Sequence, residues 1–288
     1  MLQWNGQQSV MAAARRDRRR REHSRGGSHS FRWEDIFLYW WVVVKTGLDH
    51  VVASKVLFRL PHSTATKAFV SMTAFQRDFF RIEFPVPSRI QIQQCMPESY
   101  VKVYGTRNIA WILDCTELFI PTPSCPMAQR ACFSSYKHHC TGTSAGAISP
   151  GGAAVFCSDA YPGSISDTAI VRVCGFLDKL RPGDKVGADK GFYGCAGDLL
   201  AKGCDIAHPP RRFPGQPHLT ADEAGETQRQ ANLRIHVERA YSGPRKYKYI
   251  GNEGNIDWAD LMGTVFEIVY FVHNNFHLPL VGTTDRPG

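Results

Sequence analysis

The sequence predicts an α/β protein in which a mixed sheet flanked by helices follows a small all-α domain. Three observations support this class. Apolar residues recur at helical spacing from Phe31 to about Phe84, short apolar runs typical of buried strands begin after Tyr100, and helical patterns separate and follow those runs. The predicted parts of the chain are a disordered basic tail, a helical region with a linker, and a sheet domain: residues 1–30, 31–99 and 100–288.

Composition narrows the class of protein further. The chain has 288 residues, of which 43% are hydrophobic, enough to bury a core and to exclude a wholly disordered protein. Nine cysteines without a C-x-x-C pair argue against a disulfide framework and a cysteine-rich zinc module. The longest apolar run, Ile36–Val44, has nine residues, whereas a membrane helix needs about 20. Because Met1–Ala14 also lacks a secretory signal pattern, we expect a soluble intracellular protein with no membrane partner.

Arginine dominates the first thirty residues. They contain seven arginines and two acids in a chain whose net charge is +8, so the tail carries most of the net charge. Its polar composition leaves little to bury and predicts disorder. The run Arg15–Arg21 is typical of a nuclear-import signal or a nucleic-acid clamp, and a merely solubilising tail has the same composition. We therefore expect a nuclear protein.

Three helices are predicted after the tail. Trp33–Thr46 ends at Gly47, Asp49 caps a second helix reaching about Phe58, and Ser63 caps a third from Thr64 to about Phe80. This pattern is typical of a helix-turn-helix, although generic three-helix packing also produces it. The start of the third helix would present DNA-contacting residues, namely Ser63, Thr64, Thr66 and Lys67. Pro85, Pro87 and Pro97 predict a linker beyond it.

The sheet is predicted from short apolar runs and turn residues. Ile109–Leu113 forms a strand ending at Asp114, and strands at 132–144 and 153–158 follow, joined by Gly151-Gly152. A helix at 166–180 then precedes a strand at Asp184–Ala188, which ends at Asp189. Helices at Gly194–Gly203, Ala221–Tyr241 and Asp257–Asn275 complete the chain. Three strands, a helix, a fourth strand and further helices are the order of a ribonuclease-H-like fold.

Acidic residues stand where this fold would assemble a site. Asp114 and Asp189 end two strands, and the carboxyl ends of strands are where α/β sheets place their sites. Glu238 lies mid-helix, where it could form a surface salt bridge with Arg234 or ligate a metal. Six cations surround Glu238 between residues 227 and 250: Arg229, Arg234, Arg239, Arg245, Lys246 and Lys248. Arginines there, Arg234 and Arg239 among them, could bind DNA phosphates.

Carboxylates suit magnesium chemistry. Mg²⁺ prefers hard oxygen ligands, and two ions about 3.5–4 Å apart can clamp the attacking and leaving oxygens of phosphodiester cleavage. Asp167 is a fourth candidate ligand, although an aspartate in the first turn of a helix is also stabilised by the helix dipole. On the predicted second strand, Lys137 could meet a phosphate. His138 and His139 would point to opposite faces there and could not easily share a metal.

Several segments, in order along about residues 33–281, resemble the PIF/Harbinger-type DDE (Asp-Asp-Glu) transposases. The segments are Thr46–His50, Ser63–Thr66, Leu113–Glu117, Ser134–Lys137, Tyr161–Asp167, Pro182–Asp184, Ala188–Phe192, Pro209-Pro210 and Leu233–Ala240. Any one segment is a weak match, whereas the ordered set is specific.

The resemblance implies a function. It maps the catalytic acids onto Asp114, Asp189 and Glu238, with Asp167 as an additional metal contact, and implies two Mg²⁺ or Mn²⁺ ions as cofactor. It further implies cleavage at terminal inverted repeats, transfer of a freed 3′-hydroxyl to target DNA, a homo-oligomer on DNA and a separate Myb-like DNA-binding partner.

The chain departs from the family pattern at one point. The helix carrying Glu238 usually continues in these transposases, whereas Ser242-Gly243-Pro244 should stop it here within about two turns. A domesticated DNA-binding protein that keeps the fold without the chemistry is therefore the alternative. Another metal-dependent hydrolase is a more distant one.

Overall fold

The fold is described from a computed structural model, which covers residues 32–83, 85–207, 225, 238, 240–252 and 259–276. Several sequence predictions lie outside these residues: the tail at 1–30, the loop at 208–220, most of the helix at 221–241, and the DNA contacts of Arg234 and Arg239. None of the helices within the described ranges is long and apolar enough to cross a membrane.

The N-terminal helices follow the predicted caps. Helix α1 spans Trp33–Thr46 and ends at Gly47, whose φ of 63° is the left-handed conformation that glycine adopts without strain. Helix α2 spans His50–Val52 and continues as a π turn over Ala53–Leu57. The Asp49 side chain accepts hydrogen bonds from the amides of Val51 and Val52 and so caps α2, as predicted.

The third helix and the region after it differ from the prediction. Helix α3 spans His62–Glu83, so Ser63 lies inside the first turn and is not its cap. Two short helices, α4 at Arg89–Gln94 and α5 at Glu98–Tyr104, occupy the predicted linker. The prolines do not exclude them, because Pro97 is the residue before α5, where no intrahelical N–H is needed.

Strand β1 spans Ile109–Phe119 and is longer than predicted. It does not end at Asp114, because its antiparallel partner β3, His139–Ile148, pairs with it from Ile112 to Phe119. The predicted strand at 132–144 is wrong in its first half. Helix α6 at Pro126–Cys132 and the short strand β2 at Phe133–Ser134 precede a turn in which His138 has φ 54°.

The remaining elements complete a mixed sheet. Strands β4 (Ala154–Cys157) and β5 (Tyr161–Pro162) pair antiparallel with β3, whereas β6 (Lys185–Gly187) and β7 (Asp205–Ala207) add parallel to β1. The order through the sheet is β2-β3-β1-β6-β7. This arrangement is compatible with the nuclease fold that the sequence predicts.

Helices and turns connect these strands. They are α7 (Asp167–Val173), 3-10 turns at Phe176–Asp178, Lys190–Cys195 and Pro244–Lys246, α8 (Ala196–Ala201), α9 (Lys248–Gly251) and α10 (Ala259–Phe276). The predicted helix at 166–180 therefore divides at its C-terminal end, and the closing helix is confirmed over the described residues 259–275.

Two apolar clusters cover the two faces of the sheet. One cluster contains Ile112 and Leu118 of β1, together with buried residues of α1, α3 and α10. The other contains Trp111 and Leu113, with residues of α7 and β6. This division follows from the alternation of side chains along a strand. The N-terminal helices thus pack in the same cluster as one face of the sheet, and the domain boundaries at 30/31 and 99/100 stay predictions.

Asp184 anchors β6 to α4 and β1. Its carboxylate is buried, pairs with Arg89, and accepts hydrogen bonds from the Trp111 indole at 3.2 Å and the Arg181 amide at 2.9 Å. Asp184→Ala leaves the Arg89 guanidinium, whose side chain is 20% exposed, without its partner. We expect the free energy of unfolding in urea to fall by about 3–5 kcal/mol.

Asp205→Ala is the matched control for Asp184→Ala. Asp205 pairs with Lys185 at 3.6 Å, but its side chain is 64% exposed, so its loss should cost less than about 1 kcal/mol. Equal losses in the two variants would show that burial of the Asp184 network does not stabilise this edge of the sheet.

Candidate active site

Asp114 lies within β1, and Asp189 follows the end of the parallel strand β6 at a corresponding position. In the β1–β6 ladder, Ile112 pairs with Gly187, and each aspartate stands two residues further along its chain. Adjacent strands in a sheet lie about 4.8 Å apart. The register therefore places the two predicted acids at the same edge of the sheet, although β1 continues past Asp114 and β6 does not continue to Asp189.

Local hydrogen bonds orient both carboxylates. Asp189 Oδ1 accepts from the Gly191 amide at 2.7 Å and thereby caps the 3-10 turn at Lys190–Cys195. Asp114 Oδ1 accepts from the Cys115 amide at 2.9 Å. Both residues are half-buried.

The structure brings Asp167 close to Asp189. A β-carbon built on Gly191 would lie 2.5 Å from Asp167 Oδ2 and 3.0 Å from Asp189 Oδ1. Both carboxylates thus approach the same glycine, and only glycine leaves them room. Thr168 donates from its Oγ1 to the Gly191 carbonyl at 3.2 Å and fixes the start of α7 against this turn.

The position of Asp167 as the first residue of a helix is also confirmed. Ser166 is the N-cap of α7, and its side chain accepts from the Ala169 amide at 3.2 Å. The helix dipole therefore acts on Asp167. The dipole favours the charged carboxylate and so lowers its pKa, whereas the other surroundings of Asp167 raise this pKa.

Burial raises the pKa of Asp167, and the negative charge of Asp189 raises it further. A hydrogen bond from the Cys115 thiol lowers this pKa, while the nearby Glu117 carboxylate raises it. Glu117 is itself oriented by Thr141, whose Oγ1 donates to it at 2.8 Å. A divalent cation would relieve the repulsion in this acidic group.

Sequence reasoning missed Glu117 as a neighbour of Asp167. Cys115 and Glu117 lie on the same face of β1, since side chains two apart on a strand share a face. The alternation of Cys115, Glu117 and Phe119 could have predicted that these side chains share a face. That prediction requires β1 to continue beyond Asp114.

Glu238 is exposed and helical, and the segment after it is anchored to β1. Three residues on, the Tyr241 hydroxyl donates to the Asp114 backbone carbonyl at 2.8 Å. Residues 240–242 are helical and Pro244 starts a 3-10 turn, so the predicted helix stop is confirmed. Arg245 then donates to Thr116 Oγ1 at 2.7 Å.

The predicted acids are thus only partly assembled. Within the described ranges, no group of three or more His, Cys, Asp or Glu side chains is arranged to hold a metal. Asp167 and Asp189 come together, Asp114 stands on the adjacent strand, and Glu238 belongs to a segment bound to the Asp114 carbonyl.

The histidine pair has a different position from the predicted one. His138 lies in the turn before β3, and only His139 begins the strand. His139 Nδ1 contacts the neighbouring Cys140 carbonyl at 2.9 Å, and its ring packs on Phe119. Lys137, also in the turn and not on a strand, is exposed above the Tyr136 ring at 4.6 Å, where it can reach a phosphate.

The predicted DNA contacts at the start of α3 are mostly exposed. Ser63, Thr64 and Lys67 face solvent, and Thr66 is half-buried. Their exposure allows contact with a ligand, but they lie on the first two turns of a helix that starts at His62.

The donor set at the sheet edge fits Mg²⁺ or Mn²⁺. Asp167 and Asp189 present carboxylate oxygens to the same small space, and hard cations prefer oxygen ligands. Burial and the negative charge of Asp189 raise the pKa of Asp167, so a nearby cation would favour the charged form of this carboxyl group. The chemistry of these residues would therefore fit a divalent ion, which they would hold through carboxylate oxygens.

The comparisons agree with this chemistry. The family described as DDE superfamily endonuclease matches residues 113–274, more than half of the chain. The matched segment contains all four predicted acids, Asp114, Asp167, Asp189 and Glu238. A search of curated proteins finds no match. Proteins of this family generally use divalent metals and act on DNA. The chain belongs to the DDE superfamily endonucleases.

Proposed function

We propose that the protein is a PIF/Harbinger-type DDE transposase, a divalent-metal-dependent endonuclease that cuts DNA at terminal inverted repeats and joins the freed 3′-hydroxyl to target DNA. The observation that carries this proposal is the acidic edge of the sheet. Asp114 and Asp189 follow paired positions on parallel strands, and Asp167 lies against Asp189. Each acid falls within the segment that matches the endonuclease family.

The catalytic roles follow from position. In this proposal Asp114 within β1 and Asp189 just after β6 supply oxygen donors, Asp167 adds a third carboxylate, and Glu238 adds a fourth from a helical segment. Mg²⁺ or Mn²⁺ bound there supplies charge neutralisation at the scissile phosphate. The hydrogen bonds from Gly191 and Cys115 hold two of the carboxylates in place before DNA binds.

Cations next to the site supply the DNA affinity in this proposal. Arg245, Lys246 and Lys248 are exposed and follow directly after the Tyr241 anchor. The helix-turn-helix over α1–α3 contributes end recognition through Ser63, Thr64, Thr66 and Lys67, and Lys137 contacts the DNA backbone. Arg234 and Arg239 are further proposed phosphate contacts. The basic tail supports nuclear import, and a Myb-like protein and further copies of the chain are the proposed partners.

The proposal is tested on a supercoiled plasmid that carries the terminal inverted repeats flanking the gene. Purified protein should nick this plasmid with Mg²⁺ or Mn²⁺ and not with EDTA. Salt-sensitive DNA binding without cation-dependent nicking would favour the domesticated DNA-binding protein instead. Cleavage of a small phosphoester without cleavage of DNA would favour another metal-dependent hydrolase.

Asp167 makes the stability of the metal-free protein depend on pH. A carboxyl group whose pKa is raised on folding stabilises the fold below its unfolded pKa and loses this contribution as pH rises through the folded pKa. Asp167→Asn does not titrate. In EDTA, the wild type should therefore lose stability relative to this variant as pH rises from about 4 towards 7, so the thermal midpoint of Asp167→Asn minus that of the wild type should increase.

Adding Mg²⁺ is the control for the Asp167 experiment. The cation should raise the wild-type midpoint at neutral pH and raise that of Asp167→Asn less, because a ligand that binds the folded state stabilises it by mass action. A difference between the two midpoints that stays constant with pH, measured in EDTA, would contradict the electrostatic environment described for Asp167.

A further inference from the structure

We propose that Tyr241 is a positioning residue, which fixes the helical segment of Glu238 to the strand of Asp114 through one hydrogen bond. The inference rests on the proposed function, since it concerns how two of the proposed catalytic acids are held in register. The proposed role of Tyr241 acts through the backbone carbonyl of Asp114.

The bond joins distant parts of the chain. Tyr241 is 4% exposed, and its hydroxyl donates to the backbone carbonyl of Asp114 at 2.8 Å, across 127 positions in sequence. Glu238 stands three residues before Tyr241, less than one turn of a helix. The hydrogen bond therefore has Asp114 itself as its acceptor residue, and its donor lies within one helical turn of Glu238.

A glycine in the sheet leaves room for the Tyr241 side chain. Gly146 of β3 pairs directly with Asp114 in the antiparallel ladder. A β-carbon at Gly146 would lie 2.6 Å from the Tyr241 hydroxyl and 3.1 Å from its ring. Glycine at this position therefore opens the space through which the hydroxyl reaches the Asp114 carbonyl.

Packing holds the ring independently of the hydroxyl. The Tyr241 ring contacts Phe266 and Tyr270 of α10 at centroid distances of 6.1 and 5.7 Å. Removing only the hydroxyl should leave these contacts in place. Tyr241→Phe consequently tests the hydrogen bond with little change in the apolar core.

A second contact sets the direction of the segment. Arg245 donates to Thr116, which lies two residues after Asp114 on β1 and therefore on the same face. Between the two contacts, Gly243 lies against the His273 ring, where a β-carbon would be 1.9 Å from the ring atoms. The early helix stop thus lets the chain turn and bind β1 twice.

The consequence is a fixed register for Glu238. A helix that slips by one residue moves its side chains by 1.5 Å along the axis and about 100° around it. Misplacement of a catalytic group by about 1 Å can reduce a rate about 100-fold. We therefore expect Tyr241 to affect the rate of the chemical step more than the affinity for DNA.

Tyr270→Phe is the matched control. Its hydroxyl is also buried and also donates to a backbone carbonyl of the sheet, that of Ala147 at 3.4 Å. Ala147 neighbours Gly146 and pairs with Leu113, so it is not itself one of the acids. The two variants lose the same chemical group from the same cluster, and only Tyr241→Phe releases the Asp114 carbonyl.

The experiment compares wild type, Tyr241→Phe, Tyr270→Phe and Gly146→Ala in three measurements. These are the single-turnover nicking rate with Mg²⁺, the dissociation constant for the same DNA in EDTA, and hydrogen exchange of the amides at 240–242. In Tyr241→Phe we expect a roughly 10- to 100-fold lower rate, an unchanged dissociation constant and faster exchange. Gly146→Ala should reproduce these changes, and Tyr270→Phe should show none of them.

The outcomes separate the inference from the proposed function. Wild-type protein that does not nick any DNA contradicts the proposed function, and hydrogen exchange alone then decides whether Tyr241 anchors the segment. Unchanged exchange in Tyr241→Phe overturns the anchor. With an active wild type, a rate in Tyr241→Phe equal to that of Tyr270→Phe overturns the positioning role.

Discussion

Replacing either Asp114 or Asp189 with asparagine is expected to reduce cation-dependent nicking by about 10²–10³-fold. Asp114→Asn and Asp189→Asn keep the shape of the side chain and remove its negative charge. The two acids stand at corresponding positions beyond paired residues of β1 and β6, so each loss removes a donor from the same edge. Initial rates on the supercoiled plasmid, at saturating DNA and Mg²⁺, measure the effect.

Asp178→Asn is the control for these two variants. Asp178 also lies in the segment matched by the family, but its side chain is 78% exposed and pairs with Lys202 at 3.4 Å. This variant should nick as the wild type does. All three variants should retain a cooperative thermal transition. If Asp114→Asn or Asp189→Asn nicks DNA at the wild-type rate, the assignment of that acid to catalysis is refuted.

Gly191→Ala is expected to reduce nicking about 100-fold while the fold remains intact. The new methyl group would lie 2.5 Å from Asp167 Oδ2 and 3.0 Å from Asp189 Oδ1, so the two carboxylates must move apart. Both clashes involve the ends of side chains, which can rotate without moving the backbone. The substitution should therefore displace the proposed metal ligands at a small cost in stability.

Gly197→Ala provides the matched control for the glycine substitution. Gly197 lies in the adjacent helix α8, and a β-carbon there meets no atom within 4 Å. Alanine at this position should leave nicking unchanged and raise stability by about 0.5–1 kcal/mol, because glycine is a poor helix former. Mg²⁺-induced shifts of the thermal midpoint should be smaller in Gly191→Ala and normal in Gly197→Ala. Normal nicking by Gly191→Ala would contradict a shared site at Asp167 and Asp189.

The sequence predicted features that depend on a few neighbouring residues. The left-handed cap at Gly47 and the Asp49 cap were both confirmed, because each bond lies within one turn of helix. The stop at Gly243-Pro244 was confirmed for the same reason, since proline acts on its own turn.

The predictions failed for helices too short to show a periodic pattern and for a strand whose length is set by pairing with its neighbour. Helices α4, α5 and α6 have six or seven residues each, too few to show a helical period. Strand β1 continues past a charged residue because β3 supplies hydrogen bonds as far as Phe119. A carboxylate at the sheet edge thus did not mark the end of a strand.

The sequence by itself determined most of the helices and strands in their order, and the caps at Gly47 and Asp49, because these features depend mainly on nearby residues. Tertiary structure alone decided which groups meet. Asp167 lies against Asp189, and Tyr241 binds the Asp114 carbonyl, only because strand register and packing join positions far apart in the chain. Such contacts depend on the summed geometry of several elements, whereas a sequence pattern records only the periodicity of each one.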